Sequence, residues 1–181
     1  MRRVLLCSFA LGIAAVGAVV IDDAGARDDR RLVTPSEYLD KRIKHWRGET
    51  WRWQQLIGRP QTRVSESLRS TQSLDYKRWV LKLWKQRAGR VWLKAKNPPH
   101  KRAWLCIHQH EGAWNDPNAP YYGGLQMNES FMRAYGPDLM RKKGTADNWT
   151  PLEQMWVAER AHRSGRGFYP WPNTARYCGL I

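Results

Sequence analysis

The sequence predicts a predominantly helical α+β fold: a basic helical extension, then a compact unit of short helices interrupted by one small β-hairpin. Three observations carry this. Apolar residues recur at helical spacing from Trp79 to Trp92, between a serine cap and a double-proline stop. Thr150-Pro151-Leu152-Glu153 joins a capping box to a proline at the first helical position, which marks a helix start. Between them, residues 115–126 are dense in Asn, Asp, Pro, Gly and Tyr without a helical period, a turn-rich stretch able to carry a hairpin.

A chain of 181 residues has room for one compact domain and a modest extension. Its 31 Lys and Arg against 16 Asp and Glu give a net charge of +15, a field that attracts polyanions without choosing among them. The N-terminus narrows the choice. Arg2-Arg3, a mostly apolar run over residues 4–21 and the small-residue site Ala24-Gly25-Ala26 predict a signal peptide over residues 1–26. The alternative is an uncleaved anchor, because a run of about 18 residues is near the lower limit for a span. Export sets nucleic acid aside and leaves anionic lipid or the acidic polymers of a cell wall as partners, with no stable membrane span after cleavage.

Two cysteines remain in the mature chain, Cys106 and Cys178, and an oxidising compartment predicts that they pair. Such a bridge would contribute about 4 kcal/mol in the chain-entropy model. The competing reading is a metal site in which Cys106 and His110, at i and i+4, are completed by His108, His162 or Cys178. No C-x-x-C or H-E-x-x-H pattern accompanies it, so the expectation is no metal and no cofactor.

In chain order, residues 27–36 read as a polar lead without visible chemistry. Residues 37–57 predict one or two short helices, with Gly48 as the break, and residues 58–73 a loop. From Ser73 a helix of about 23 residues carries Trp79, Val80, Leu83, Trp84, Ala88, Val91 and Trp92 on one stripe until Asn97-Pro98-Pro99. Its other faces hold Lys77, Arg78, Lys82, Lys85, Arg87, Arg90 and Lys94. A membrane-surface or wall-contact role therefore stands beside the plainer expectation, that the tryptophans pack against the following domain and the cations face water.

A helix from Lys101 to about His110 aligns Trp104, Ile107, His108 and Glu111. Partial burial of Glu111 against these apolar neighbours and Trp114 disfavours its charged form, as a general acid working near neutral pH requires. The plainer reading is a structural glutamate at a helix end. Tyr121-Tyr122-Gly123-Gly124-Leu125-Gln126 follows: the glycines can expose amides to a ligand, Trp114, Tyr121 and Tyr122 offer flat surfaces for sugar rings, and Gln126 can orient a substrate. A helix from Asn128 or Ser130 presents Phe131, Met132 and Tyr135 inward and stops at Gly136-Pro137. A basic loop at residues 141–144 precedes the helix capped by Thr150, which runs to Ser164-Gly165. On that helix Glu159 reads as an inward, ion-paired group in preference to a second catalytic one. The tail at residues 168–172 covers apolar surface on its way to Cys178.

His110-Glu111-Gly112-Ala113-Trp114, the Tyr121–Gln126 stretch, Ala134-Tyr135-Gly136, Glu153-Gln154, Val157-Ala158-Glu159-Arg160 and Trp171-Pro172 occur in an order and spacing similar to one known domain. They resemble the catalytic domain of the resuscitation-promoting factors, small actinobacterial secreted proteins of lysozyme-like fold that act on peptidoglycan. The resemblance implies a lysozyme-like domain over residues 101–181, with residues 27–100 as an extension that has no counterpart in it. It implies Glu111 as the catalytic acid and a substrate groove at Trp114, Tyr122 and Gln126, beside Gly123 and Gly124. The family's cysteines fall directly before the glutamate and just after the Trp-Pro pair, where this chain has His110 and Asn173-Thr174. Cys106 and Cys178 then tie the same two segments from further out. The expected function is a secreted, cell-wall enzyme cutting the β-1,4 bond between N-acetylmuramic acid and N-acetylglucosamine, as a muramidase or a lytic transglycosylase. A wall-binding or signalling module with little catalysis is the alternative. Expected partners are peptidoglycan strands and, through charge, anionic wall polymers.

Overall fold

The computed structural model describes residues 33–64 and 73–181. The predicted signal segment, residues 27–32 of the polar lead and residues 65–72 of the loop lie outside the described residues.

The first helix, α1 (Pro35–Leu56), is one continuous element of 22 residues and not two pieces broken at Gly48. A Cβ at Gly48 would meet nothing within 4 Å, so the position is an exposed helical glycine. Such a glycine costs about 1 kcal/mol relative to alanine, and capping and packing outweigh it. The cap is a full box: Thr34 Oγ1 accepts from the Glu37 N–H at 3.2 Å, and Glu37 Oε2 accepts from the Thr34 N–H at 2.9 Å.

The second helix, α2 (Leu74–Ala95), lies beside α1 with like ends together. At the N-terminal ends, the buried Lys77 ammonium donates to Ser36 Oγ at 2.7 Å and to Asp40 Oδ2 at 2.6 Å. At the C-terminal ends, Ile57 and Ala95 share a small apolar cluster with Trp156. A parallel pair requires the chain to return along its own length. The start of that return is pinned on α1, where Thr62 O accepts from Trp51 Nε1 at 3.0 Å and Thr62 Oγ1 from Gln54 Nε2 at 2.8 Å. Of the three tryptophans on α2, Trp84 packs edge-on against Trp51 of α1 while Trp79 and Trp92 stay exposed, so the expected packing of the tryptophans against the following domain is not what the structure shows.

The remaining elements enclose the main core. They are α3 (Lys101–Glu111), α4 (Glu129–Tyr135), α5 (Pro137–Lys143), a 3-10 turn (Ala146–Asn148), α6 (Pro151–Ala161), a wide turn (His162–Arg166) and α7 (Pro172–Tyr177). Trp104, Ile107, Leu125, Met132, Trp149, Val157 and Trp171 fill its centre. The Thr150 capping box is present. The basic stretch expected as a loop at residues 141–144 is instead the last turn of α5, where Arg141, Lys142 and Lys143 complement the helix dipole.

The predicted β-hairpin is absent among the described residues; a single antiparallel bridge pairs Tyr122 with Met127. A ladder cannot grow from it. The next pair would be Pro120, which has no N–H, with Glu129, which already belongs to α4 under the Asn128 cap.

Arg160 joins α6 to α1. Its guanidinium donates to the carbonyls of Tyr135 at 2.7 Å, Leu56 at 2.7 Å and Gln55 at 3.2 Å, closing the last turn of α1 on the main core. Arg160→Met is expected to lower stability by about 3 kcal/mol in urea unfolding, because partly buried carbonyls lose a charged donor. Glu153 makes a second test. Burial alone pushes its carboxyl up, but the Lys143 ammonium and the Thr150 N–H and O–H bonded to it outweigh that and hold it below the ordinary carboxylate value. A depressed carboxyl stabilises the fold above the unfolded value near ~4.3 and loses that contribution as pH falls through its folded value. The stability gap between wild type and Glu153→Gln should thus be constant from neutral pH to about pH 5 and narrow below about pH 4.

Candidate functional site

Helix α3 aims its C-terminal end at the surface, and Glu111 is its last residue, half-buried. Trp104 and Ile107 lie on the same face one and two turns earlier and are wholly buried. Glu111 therefore stands where that face leaves the core. Its bonded partner is Thr174 of α7, whose hydroxyl donates to Glu111 Oε1 at 2.7 Å. The Cys106–Cys178 disulfide, whose ends are 72 positions apart in sequence, fastens α3 to the C-cap of α7. His110 sits against the ring of Tyr177 at 4.2 Å, within 4.8 Å of both sulfurs, which the bridge has already joined to each other.

Beyond extended Gly112, the loop folds back on itself through Asp116. Asp116 Oδ1 accepts from the Asn118 N–H at 3.1 Å and from its side-chain amide, and Asp116 Oδ2 accepts from Gln126 Nε2 at 2.9 Å. The Gly123 N–H donates to the Asp116 carbonyl at 2.8 Å. Both oxygens of this carboxylate are thereby occupied. The Gln126 amide also donates to the Gly123 carbonyl at 2.9 Å, so its Oε1 is the side-chain atom left uncommitted among the described residues.

The two glycines serve packing. Gly123 has φ 71°, and a Cβ there would lie 2.6 Å from Gln154 Oε1; a Cβ on Gly124 would lie 2.6 Å from His108 Nδ1 and 2.7 Å from the Trp114 ring. Both residues are buried. Protein side chains fill the space their missing Cβ atoms leave. Gln154, fully buried, donates to the carbonyls of Trp114 at 2.7 Å and Ala146 at 2.8 Å. His108 stacks on Trp114 with centroids 4.0 Å apart, and its Nδ1 lies 3.2 Å from the Gly124 carbonyl, which calls for the Nδ1–H tautomer. One face of the Trp114 ring is thus covered by histidine.

The nearby groove, about 210 Å³, is lined by Tyr121, Gln126, Asn128, Ser130, Arg166 and Trp171, among others. Of the predicted substrate-binding residues it takes in Gln126; Trp114, Tyr122, Gly123 and Gly124 lie behind it in the packing. Tyr121, 49% exposed, is the accessible member of the tyrosine pair. Gln126 links the groove to the glutamate, since a Cβ on Gly112, next to Glu111, would come 2.8 Å from Gln126 Nε2. Trp171 makes a second link, one helical turn before Thr174. Sequence reasoning missed Thr174, Asn128, Ser130 and Arg166. Thr174 and Arg166 lie in segments without a readable period, and Asn128 was readable only as a helix cap. A larger cleft of about 360 Å³ between α1, α5 and α6 contains none of the predicted site.

Glu159, the other glutamate weighed for catalysis, is wholly buried and far along α6. Its Oε1 accepts from the His100 N–H at 2.7 Å and Trp104 Nε1 at 2.9 Å, and its Oε2 lies 3.2 Å from His100 Nδ1. This is the structural role expected for it. No protein-family model matches the chain, and neither a curated protein nor a solved structure matches it.

Because the Gly124 contacts are with rigid rings, Gly124→Ala is expected to cost about 2 kcal/mol in chemical unfolding and to break the His108–Trp114 stack. A His108 ring-proton shift in NMR that stayed at its wild-type position would contradict this account.

Proposed function

We propose that the protein is an exported peptidoglycan-cleaving glycosidase, with a lysozyme-like catalytic domain in residues 101–181 and Glu111 as its general acid. The observation that carries the reading is Glu111 itself: a half-buried carboxylate anchored by Thr174 through Oε1, with no bonded partner on Oε2 among the described residues, and followed by Gly112, which packs against Gln126 of the polar groove. The motif resemblance supplies the substrate. The disulfide is compatible with an oxidising compartment, and the +15 charge with attraction to anionic wall polymers.

In this reading the Thr174 hydroxyl donates to Oε1 whether Glu111 is ionised or protonated on Oε2, so the side chain keeps its anchor through a proton cycle. Oε2 delivers the proton to the glycosidic oxygen between N-acetylmuramic acid and N-acetylglucosamine as that bond breaks. The oxocarbenium-like sugar is then captured by water or by its own 6-hydroxyl, with Glu111 taking back the proton. Asp116, the carboxylate in the neighbouring loop, has both oxygens committed to Gln126 and Asn118. A single-glutamate route follows from that. Gln126 Oε1 and Tyr121 are the groups available to orient a sugar, by hydrogen bond and by stacking.

The test is muropeptide release from purified peptidoglycan, with product masses read by mass spectrometry. Glu111→Gln should lower release by about 10³-fold while leaving the unfolding midpoint in place. Thr174→Val should lower it by about tenfold. Equal release by wild type and Glu111→Gln would remove Glu111 from the reaction, and binding without release by the wild type would identify a wall-binding module instead of an enzyme.

A further inference from the structure

The solvent side of α2 carries a pattern that the glycosidase reading does not use. Trp84, Ala88 and Ala95 are buried on one side of the helix, against α1 and the α6 contact. On the opposite side, Arg78, Trp79, Lys82, Lys85, Arg90 and Leu93 are all exposed. At 1.5 Å per residue this face, from Arg78 to Leu93, is about 23 Å long. Trp79 is 51% and Leu93 56% exposed, large values for apolar side chains, with the Tyr76 ring 5.4 Å from that of Trp79 on the same helix.

The cations of this face are uncompensated. Arg78 pairs with Asp75, the acidic residue of α2, while Lys82, Lys85 and Arg90 have no acidic partner among the described residues. Some surface cations elsewhere are paired locally, as in Arg133 with Glu129, Arg141 with Asp138 and Lys143 with Glu153, while others such as Lys44, Arg102, Lys142 and Arg176 are not, but these are scattered over different elements. The helix thus concentrates positive charge on the face that also presents an indole and a leucine.

We propose that this face of α2 docks the protein on the surface of an anionic lipid bilayer, lying in the plane of the headgroups. Lys82, Lys85 and Arg90 meet lipid phosphates, and Trp79 and Leu93 enter the boundary between headgroups and acyl chains. A soluble polyanion explains the cations but gives the exposed indole and leucine no role, which is why the bilayer is the occupant. The docking is peripheral: no helix among the described residues is long and apolar enough to cross a membrane.

The test is co-sedimentation of the full chain with phosphatidylcholine vesicles, with and without phosphatidylglycerol. The apolar run at residues 4–21 is present in every variant, so the differences between variants are the readout. Lys82→Gln/Lys85→Gln/Arg90→Gln should weaken partitioning to anionic vesicles on the order of 100-fold, about fivefold per residue. Trp79→Ser/Leu93→Ser, which leaves the charge unchanged, should weaken it about tenfold. The control Lys41→Gln/Lys44→Gln/Lys142→Gln removes the same charge from other surfaces and should weaken it much less. The proposal is overturned if that control loses as much as the α2 triple variant. It is equally overturned if the Trp79 and Leu93 variant partitions like wild type, which would leave a soluble polyanion as the partner of the cations.

Discussion

The main core depends on one carboxylate that never reaches water. Glu159 is wholly buried in α6 and takes three contacts from the segment that starts α3: the His100 N–H, the His100 ring and the Trp104 indole N–H. Burying a charge without such partners costs several kcal/mol, so the arrangement holds only with its donors present. It is also positioned usefully. The His100 N–H is one of the unsatisfied donors at the start of α3, and a negative group there complements the helix dipole. The carboxylate thereby fixes the buried end of the helix whose other end carries Glu111. His162 completes the shell, its ring 4.0 Å from that of His100 and its basicity lowered by burial and by that neighbour.

From that fixed end, the loop after α3 is assembled by shape more than by regular secondary structure. Gln154 reaches under Gly123, His108 and Trp114 press on Gly124, and the Trp171 indole N–H holds the Leu125 carbonyl at 2.6 Å. Each contact replaces a hydrogen bond that a β-ladder would have made. A turn built this way needs one bridge and no sheet.

These contacts explain what the sequence did and did not reveal. The Thr150 box, the α2 stripe and the end of α3 were legible because each is a local pattern: a cap, a period, a stop. The continuity of α1 was obscured by Gly48 and by reading Pro35 as part of a lead, although Thr34 and Glu37 form the same kind of box as Thr150 and Glu153. The paired glycines were legible as a turn, but their purpose depends on Gln154 and His108, which are distant in sequence or on another element. The same holds for Thr174. A hydroxyl facing Glu111 across 63 residues has no local signature.

The Cys106–Cys178 bridge bears directly on the glutamate. Helix α7 spans only six residues, too short to hold its place by its own hydrogen bonds, and Ala175 is its buried residue. It is tied to α3 at two points, Cys178 to Cys106 and Thr174 to Glu111, which lie about one turn apart on each helix and run in opposite directions along them. The covalent tie restricts where α7 can lie, and the hydroxyl bond then restricts where Glu111 can point. A bridge directly beside the glutamate would crowd the position that Thr174 occupies on α7. Lying about a turn away on each side, it constrains the same two segments and leaves room between them for a side chain that touches the carboxylate.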